Sequence, residues 1–550
     1  MLIDKKFRQL LIPNMLMVFA ASISEFVDAF IVARLLGSTA MAVINLASPV
    51  LFLMMTVSAL MGVGGSTVYT GLAGEHKSDE ADRAYTATII TTFAVIVLMT
   101  VAMLISSNYI VNIFCKGNEE LTAMTADYIY VLIVSLPVIS VATVIFMFLP
   151  SVGMPVFGTV LIVISNVANL CFDVVFIKYA GMGIKGAALA TLCGYSLGLA
   201  VFFVSRALRY CNLRFARIGR NEFRSLGRIC SMGSSSALSQ LSFGIKYYFC
   251  NAIALRYGGA AGLVTLSVCF QLISITSIFV GGIGSSLTRI VAFLGAQMDY
   301  SSLWRCARRA YLLQLICSSV CFAVFFIFAG TVAGIYNISD SDSLDSAISA
   351  IRIFTLCLIL RGVCITFMFY VQAIGKSIYA SAISLVDGFV GIVPIALLLC
   401  NIVGISGLWW TFPVCSLVLA LGILAINAIM SRRMPEKYWS VFLFEKDDSS
   451  AVSESFSVCS NSPDLLWSKL RESVTPQIKL VLESYMKALP EDGRNKQNDF
   501  YIRRYDNIMT VEARFEENSP FEWNEPAIDN VSIVRSIGLG MNTLQIKQAL

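Results

Sequence analysis

Residues 165–191 read SNVANLCFDVVFIKYAGMGIKGAALAT. Within an apolar helix, Asn169 and Asp173 stand one turn apart, so both polar groups project from the same face. A carboxylate at membrane depth is costly and is kept in protein or a wet cavity, where it either pins a neighbouring helix or marks an ion or proton path. A second acid tips the balance toward the path. Asp28, in SEFVDAFIVARLLG at 24–37, lies at a comparable depth from the end of the first apolar segment.

Composition agrees with a chain built for lipid. With 57% hydrophobic and 14% charged residues it departs from soluble proteins, whose apolar share is about 45–50%, and its mean hydropathy is +0.76. The net charge of +5 is small and bears on orientation in the bilayer rather than on nucleic acid, which is excluded as a partner. The first apolar run follows MLIDKKFRQL directly, exceeds a signal-peptide core and lacks a small-residue cleavage site, so it is expected to stay as a helix. The 15 Cys form no CxxC pair and the one His is His76, so neither a structural disulfide nor a metal site is expected.

Apolar segments near the spanning length of about 20 residues fall at about 9–34, 44–72, 85–106, 121–148, 155–178, 185–208, 230–256, 262–294, 306–334, 345–373, 378–400 and 406–431. The expected fold class is therefore an all-α polytopic membrane protein of twelve transmembrane helices. Alternate loops hold the basic residues, notably Lys5, Lys6, Arg8, the Arg206–Arg228 cluster, Arg305, Arg308 and Arg309. The opposite loops hold few, and one is acidic (NISDSDSLDS), which places both termini in the cytoplasm and the chain as multi-pass in the cell membrane.

The sequence also repeats. GVGGSTVYTGLAG from Gly62 resembles GGIGSSLTRIVAFLGA from Gly281, FMF at 146 matches FMF at 367, and GIKGAALAT at 183 matches GISGLWWTF at 404, each at an offset of about 220 residues. Two parallel six-helix lobes are expected, 1–215 and 216–433. The acids are not copied: Asn169 and Asp173 map onto Gly391 and Ile395, so the charged site belongs to the first lobe. Asp387 and Lys246 in the second lobe are candidate substrate contacts or helix-pairing groups, and Arg361 and Glu25 share those alternatives.

FVDAFIVARLLG, NLCFDVVFI and GMGIKGAALAT, in that order, resemble the multidrug and toxic compound extrusion (MATE) family of secondary transporters over residues 1 to about 433. The resemblance implies a cation site at Asp28, Asn169, Asp173 and Thr191, alternating access, and a transporter rather than an enzyme. It implies export of organic, cationic and amphipathic small molecules across the lipid bilayer in exchange for sodium or protons; sodium at these four residues is the one metal ion envisaged. Two rivals are a lipid or oligosaccharide flippase of related fold, disfavoured because intramembrane Lys and Arg are sparse, and a membrane-anchored signalling protein acting through its tail.

After MSRRMPEKYWS the composition turns polar, giving a linker at 434–453 and a small cytoplasmic α+β domain at 454–550. DFYIRRY and IMTVEARFE flank Asp506 and Asn507, a hairpin signal, and PDLLWSKLRESVTPQIKLVLESYMKAL reads as helix broken near Pro476. The tail is similar to the anti-sigma-factor type of the histidine-kinase-like ATPase fold at FEENSPFEW and IGLGMNTLQIK. It departs from that family at Glu517, Asn518 and Ser519, and Glu483 has no following Asn. ATP binding is therefore not expected; no cofactor is, and VSIVRSI and NTLQIK read as a second hairpin. The tail is expected to serve as a regulatory module or to bind a cytoplasmic protein.

Overall fold

The computed structural model describes residues 2–36, 38–107, 119–208, 213–217, 225–297, 299–335, 341–433, 452–459, 474–488, 497–505, 508–515, 531–538 and 541–549, with a few single positions between. The first lobe comprises α1 (Leu2–Leu36), α2 (Ser38–Gly74), α3 (Ser78–Ile105), α4 (Glu119–Phe148), α5 (Pro155–Asp173) and α6 (Ile184–Ala207). The second comprises α7 (Ser225–Ala296), α8 (Tyr300–Ile327), α9 (Ala329–Ile335), α10 (Ser341–Thr355), α11 (Cys357–Ala373), α12 (Ser377–Leu385), α13 (Gly391–Val403) and α14 (Ser406–Arg433). Among the described residues ten helices are long and apolar enough to cross a membrane. Two further long rods bring the bundle to the expected architecture: α1, and the arm of α7 before Gly259, where φ 60 and ψ −153 break the helix.

That arm is serine-rich for a physical reason. Ser231, Ser234 and Ser239 meet Ser377, Ser381 and Ser384 of α12 at 3.1, 3.0 and 2.9 Å, a ladder of hydroxyls that lets the two helices associate where lipid offers no hydrophobic drive. The partners are 146, 147 and 145 residues apart. The first lobe pairs its own first and fifth helices in the same register: Thr159 donates to the Pro13 carbonyl at 2.9 Å and Asn166 to the Ala20 carbonyl at 3.2 Å, both 146 residues apart.

The turns repeat as well. Gly153 (φ 87) closes the stretch after α4 and Gly375 (φ 83) closes α11, each with the six-to-one and five-to-two hydrogen bonds of a left-handed helix cap. Gly183 (φ 58) and Gly404 (φ 65) introduce α6 and α14. The two lobes meet where α2 crosses the first arm of α7: a Cβ on Gly64 would overlap the Ile229 carbonyl, and one on Gly233 the Leu60 carbonyl. Nearer the chain ends of these helices, a Cβ on Gly74 would lie 2.6 Å from the Phe293 oxygen.

The tail is a five-stranded antiparallel sheet of order β1-β2-β3-β5-β4, from β1 (Val452–Cys459), β2 (Gln497–Tyr505), β3 (Ile508–Phe515), β4 (Val531–Gly538) and β5 (Met541–Ala549), with α15 (Pro476–Ala488). Both expected hairpins form, β2 with β3 and β4 with β5. The expected helix break falls at the start of α15, while most of FEENSPFEW, the IGLG loop residues 539–540 and nearly all of the linker lie outside the described residues. Strand alternation sends Phe500, Ile502, Val511, Ala513, Leu544 and Ile546 to a core with Ile478, Val481 and Tyr485 of α15. The other face, with Asp499, Tyr501, Glu512, Arg514, Met541 and Thr543, is buried too, because it lies on the membrane bundle.

Asp499, Glu512 and Arg514 on that second face each have a partner. Arg514 pairs with Asp299 at 2.8 Å and donates to Gln297 at 2.8 Å, in the turn between α7 and α8. Asp299 also caps α8 by accepting from the Ser302 amide at 3.0 Å, so one carboxylate starts a helix and anchors the tail. In the turn after α2, His76 meets Glu512 at 2.9 Å and Thr543 at 3.4 Å. His76 occupies the left-handed cap position (φ 62) where Gly is usual, a local cost of about 1–3 kcal/mol that the surrounding contacts hold in place. Asp499 accepts from the Ile3 amide at the start of α1. The tail thus touches corresponding turns of both lobes.

Replacing Arg514 by Leu leaves a buried Asp299 without its cation, which costs about 3–5 kcal/mol in buried pairs. The expected result is a lower thermal midpoint in detergent and faster proteolysis of the tail. Lys77→Ala, which removes an exposed pair with Glu75, is expected to leave both unchanged.

Candidate functional site

Leu161, Ser165, Asn169 and Asp173 recur every four residues along the buried face of α5. Asp173 is fully buried and ends the regular α-helix, the next six residues, Val174–Tyr179, winding as a π-turn. Across from it, Asn169 donates to the Thr191 hydroxyl at 3.3 Å, and Thr191 donates to the Ala187 carbonyl at 3.2 Å. α6 can come this close because it presents glycine: a Cβ on Gly194 would lie 2.9 Å from Asn169 Cβ, and one on Gly198 would overlap the Ser165 hydroxyl. Asn169 and Thr191 are brought together as the sequence led one to expect, with Asp173 one turn away.

Asp28 lies on α1, and its side chain falls outside the described residues, as does that of Glu25. The backbone of α1 pairs with α5 at a constant register of 146, Pro13 with Thr159 and Ala20 with Asn166.

The second lobe holds a different constellation. Arg361 of α11 grips Asp387 with two hydrogen bonds of 3.0 Å, Nε to Oδ1 and Nη2 to Oδ2, and Lys246 of α7 donates to the Asp387 carbonyl at 3.3 Å. Asp387 sits in the π-turn Val386–Val390, the kind of helix irregularity that recurs at functional positions. All three side chains line a cavity of about 740 Å³ between the lobes, which also reaches Ser66 and Met147 in the first. Asp387 and Lys246 therefore pair helices, one of the roles left open for them, and both line the cavity.

One residue of this cavity was missed. Arg289, on the second arm of α7, is buried, lines the same space, and bridges the lobes by donating to the Met147 carbonyl at 3.1 Å and the Ser151 hydroxyl at 3.3 Å. A signal was present, since a lone Arg inside GGIGSSLTRIVAFLGA is too costly to be idle. The count of intramembrane basic residues as sparse also needs correction: Lys246, Arg289 and Arg361 are far apart in sequence but converge on one cavity.

The comparisons with known proteins agree with this architecture. The MatE family model matches residues 13–175. The multidrug export protein MepA of Staphylococcus saprophyticus is 20% identical over 425 residues, covering 77% of this chain and 93% of that protein. A crystal structure of MATE in complex with MaD3S shares 21% identity with a TM-score of 0.71, covering 79% of this chain and 97% of the other. A MOP-superfamily transporter from Pyrococcus furiosus, described by the reverse polarity of its binding pocket, shares 22% identity with a TM-score of 0.71, covering 78% and 97%. With the family match lying on the helices that carry Asp28, Asn169 and Asp173, and with the two-lobed bundle closed around a central cavity, the chain is similar in sequence to the MATE family of membrane transporters and has their fold.

Proposed function

We propose that the protein exports organic compounds by alternating access of its two lobes, driven by a sodium or proton gradient. The observation that carries this reading is the buried Asp173 beside the Asn169–Thr191 pair, in one lobe only, with a second acid, Asp28, in the sequence of the neighbouring helix α1. Carboxylate, amide and hydroxyl oxygens suit a small cation; two close carboxylates can instead share a proton. The name of MepA as a multidrug export protein supports efflux. The excess of Lys and Arg on the tail side supports cytoplasmic termini. A flippase of related fold is the second reading, favoured by the three basic side chains on the cavity.

The tail fits a regulatory role in this scheme. Its sheet holds the His76 turn of one lobe and the Asp299 turn of the other on the side where the lobes already meet. Opening that side requires those turns to part, so a docked tail favours the state closed toward it.

Asp173→Asn keeps size and hydrogen bonding while removing charge. Reconstituted in liposomes with sodium and proton gradients imposed separately, this variant is expected to remain folded and to lose gradient-driven accumulation. Accumulation at the parent rate would refute the site. In the same liposomes, His76→Ala combined with Arg514→Leu is expected to raise the transport rate by freeing the turns. An unchanged rate with a demonstrably undocked tail would rule out the clamp.

A further inference from the structure

The cavity between the lobes carries more positive than negative groups. Of the described residues that line it, Lys246, Arg289 and Arg361 are basic and Asp387 is acidic. Asp387 is already committed: both of its carboxylate oxygens are held by Arg361. Lys246 hydrogen-bonds that residue at its main-chain carbonyl, 3.3 Å away, stands within electrostatic reach of its carboxylate, and its ammonium lies 5.5 Å from the centre of the Phe243 ring. Arg289 is compensated by neutral oxygens alone, the carbonyls of Ser285 and Met147 and the hydroxyl of Ser151.

Carbonyl and hydroxyl dipoles solvate a guanidinium but do not cancel its charge, and Arg stays protonated in proteins. In a partly desolvated space a unit charge pair interacts roughly four times more strongly than in water. A ligand bearing one negative group therefore gains attraction from these groups, while a cation meets repulsion from them and finds Asp387, the one acid among the described lining residues, taken. Aromatic and thioether side chains, Phe243, Phe369 and Met368, supply an apolar wall beside these groups.

We infer that this cavity binds amphipathic organic molecules carrying an anionic group, a carboxylate, sulfonate or phosphate, with Lys246 and Arg289 as the recognising cations. The cargo is thus not the cationic one that the family resemblance implies. The inference rests on the export reading for the fate of the ligand, while binding itself is independent of it. The shared chemistry admits two sources, a soluble organic acid or an anionic lipid head group.

The test uses the full-length protein in detergent and two xanthene dyes of similar size, carboxyfluorescein and the cationic rhodamine 123, with binding read by fluorescence polarisation. Carboxyfluorescein is expected to bind at least about tenfold more tightly, and Lys246→Gln and Arg289→Gln each to weaken it by about tenfold or more, as befits a lost charged hydrogen bond. Lys246→Arg, which keeps the charge, is expected to retain it and guards against a variant that simply misfolds. Preference for rhodamine 123, equal binding of the two dyes, or no binding of carboxyfluorescein overturns the inference. Competition by phosphatidylglycerol in mixed micelles supports the anion site and assigns it to a lipid; competition only by soluble aromatic acids supports it and assigns it to them. Carboxyfluorescein that binds as expected but moves under neither gradient in liposomes refutes the export reading and leaves the anion site standing.

Discussion

An ionised or amide side chain placed at membrane depth must be met by another polar atom, because lipid offers no water to take its place. The architecture follows from where this chain places those meetings. Asn169 and Thr191 hold α5 to α6, Thr159 and Asn166 hold α5 to α1, and Arg361 and Lys246 hold two helices of the second lobe to Asp387, one at its carboxylate and the other at its main-chain carbonyl. Between these points the helices approach through glycine, where Gly64, Gly194 and Gly233 leave room for a neighbour's backbone. Polar contact and close approach are thus complementary: the first tells a helix which neighbour to choose, and the second lets it get there.

The two lobes use one plan with different contents. Their first and fifth helices pair at nearly the same sequence separation, and their caps fall on glycines at matching positions. Upon that common frame the first lobe sets acid, amide and hydroxyl, and the second sets a cation pair around an acid. A shared backbone with unshared charge is consistent with the division proposed above between a driving-ion site and a cargo site.

Much of this was legible in the chain. The four-residue spacing of Asn169 and Asp173, the repeated glycine motifs and the hairpins of the tail are local patterns, and local patterns survive in sequence. What was not legible is convergence. Lys246, Arg289 and Arg361 belong to different helices, so each reads as an isolated oddity until the bundle brings them to one cavity. His76 likewise reads as a lone histidine with no metal partners, whereas its meaning lies 436 residues away at Glu512. The second face of the tail sheet is a related case. Its Asp499, Glu512, Arg514 and Thr543 alternate with apolar residues in the manner of a solvated surface, and only the partner across the interface shows that the surface is buried.

That two-sided sheet has a bearing on biogenesis. Ribosomes deliver a chain from its N-terminus, so the turns bearing His76 and Asp299 emerge and their helices enter the bilayer before β3 exists. The tail can settle only when both turns stand at the spacing its strands demand. Its docked position therefore depends on the two lobes having come together, since one sheet must meet a turn of each.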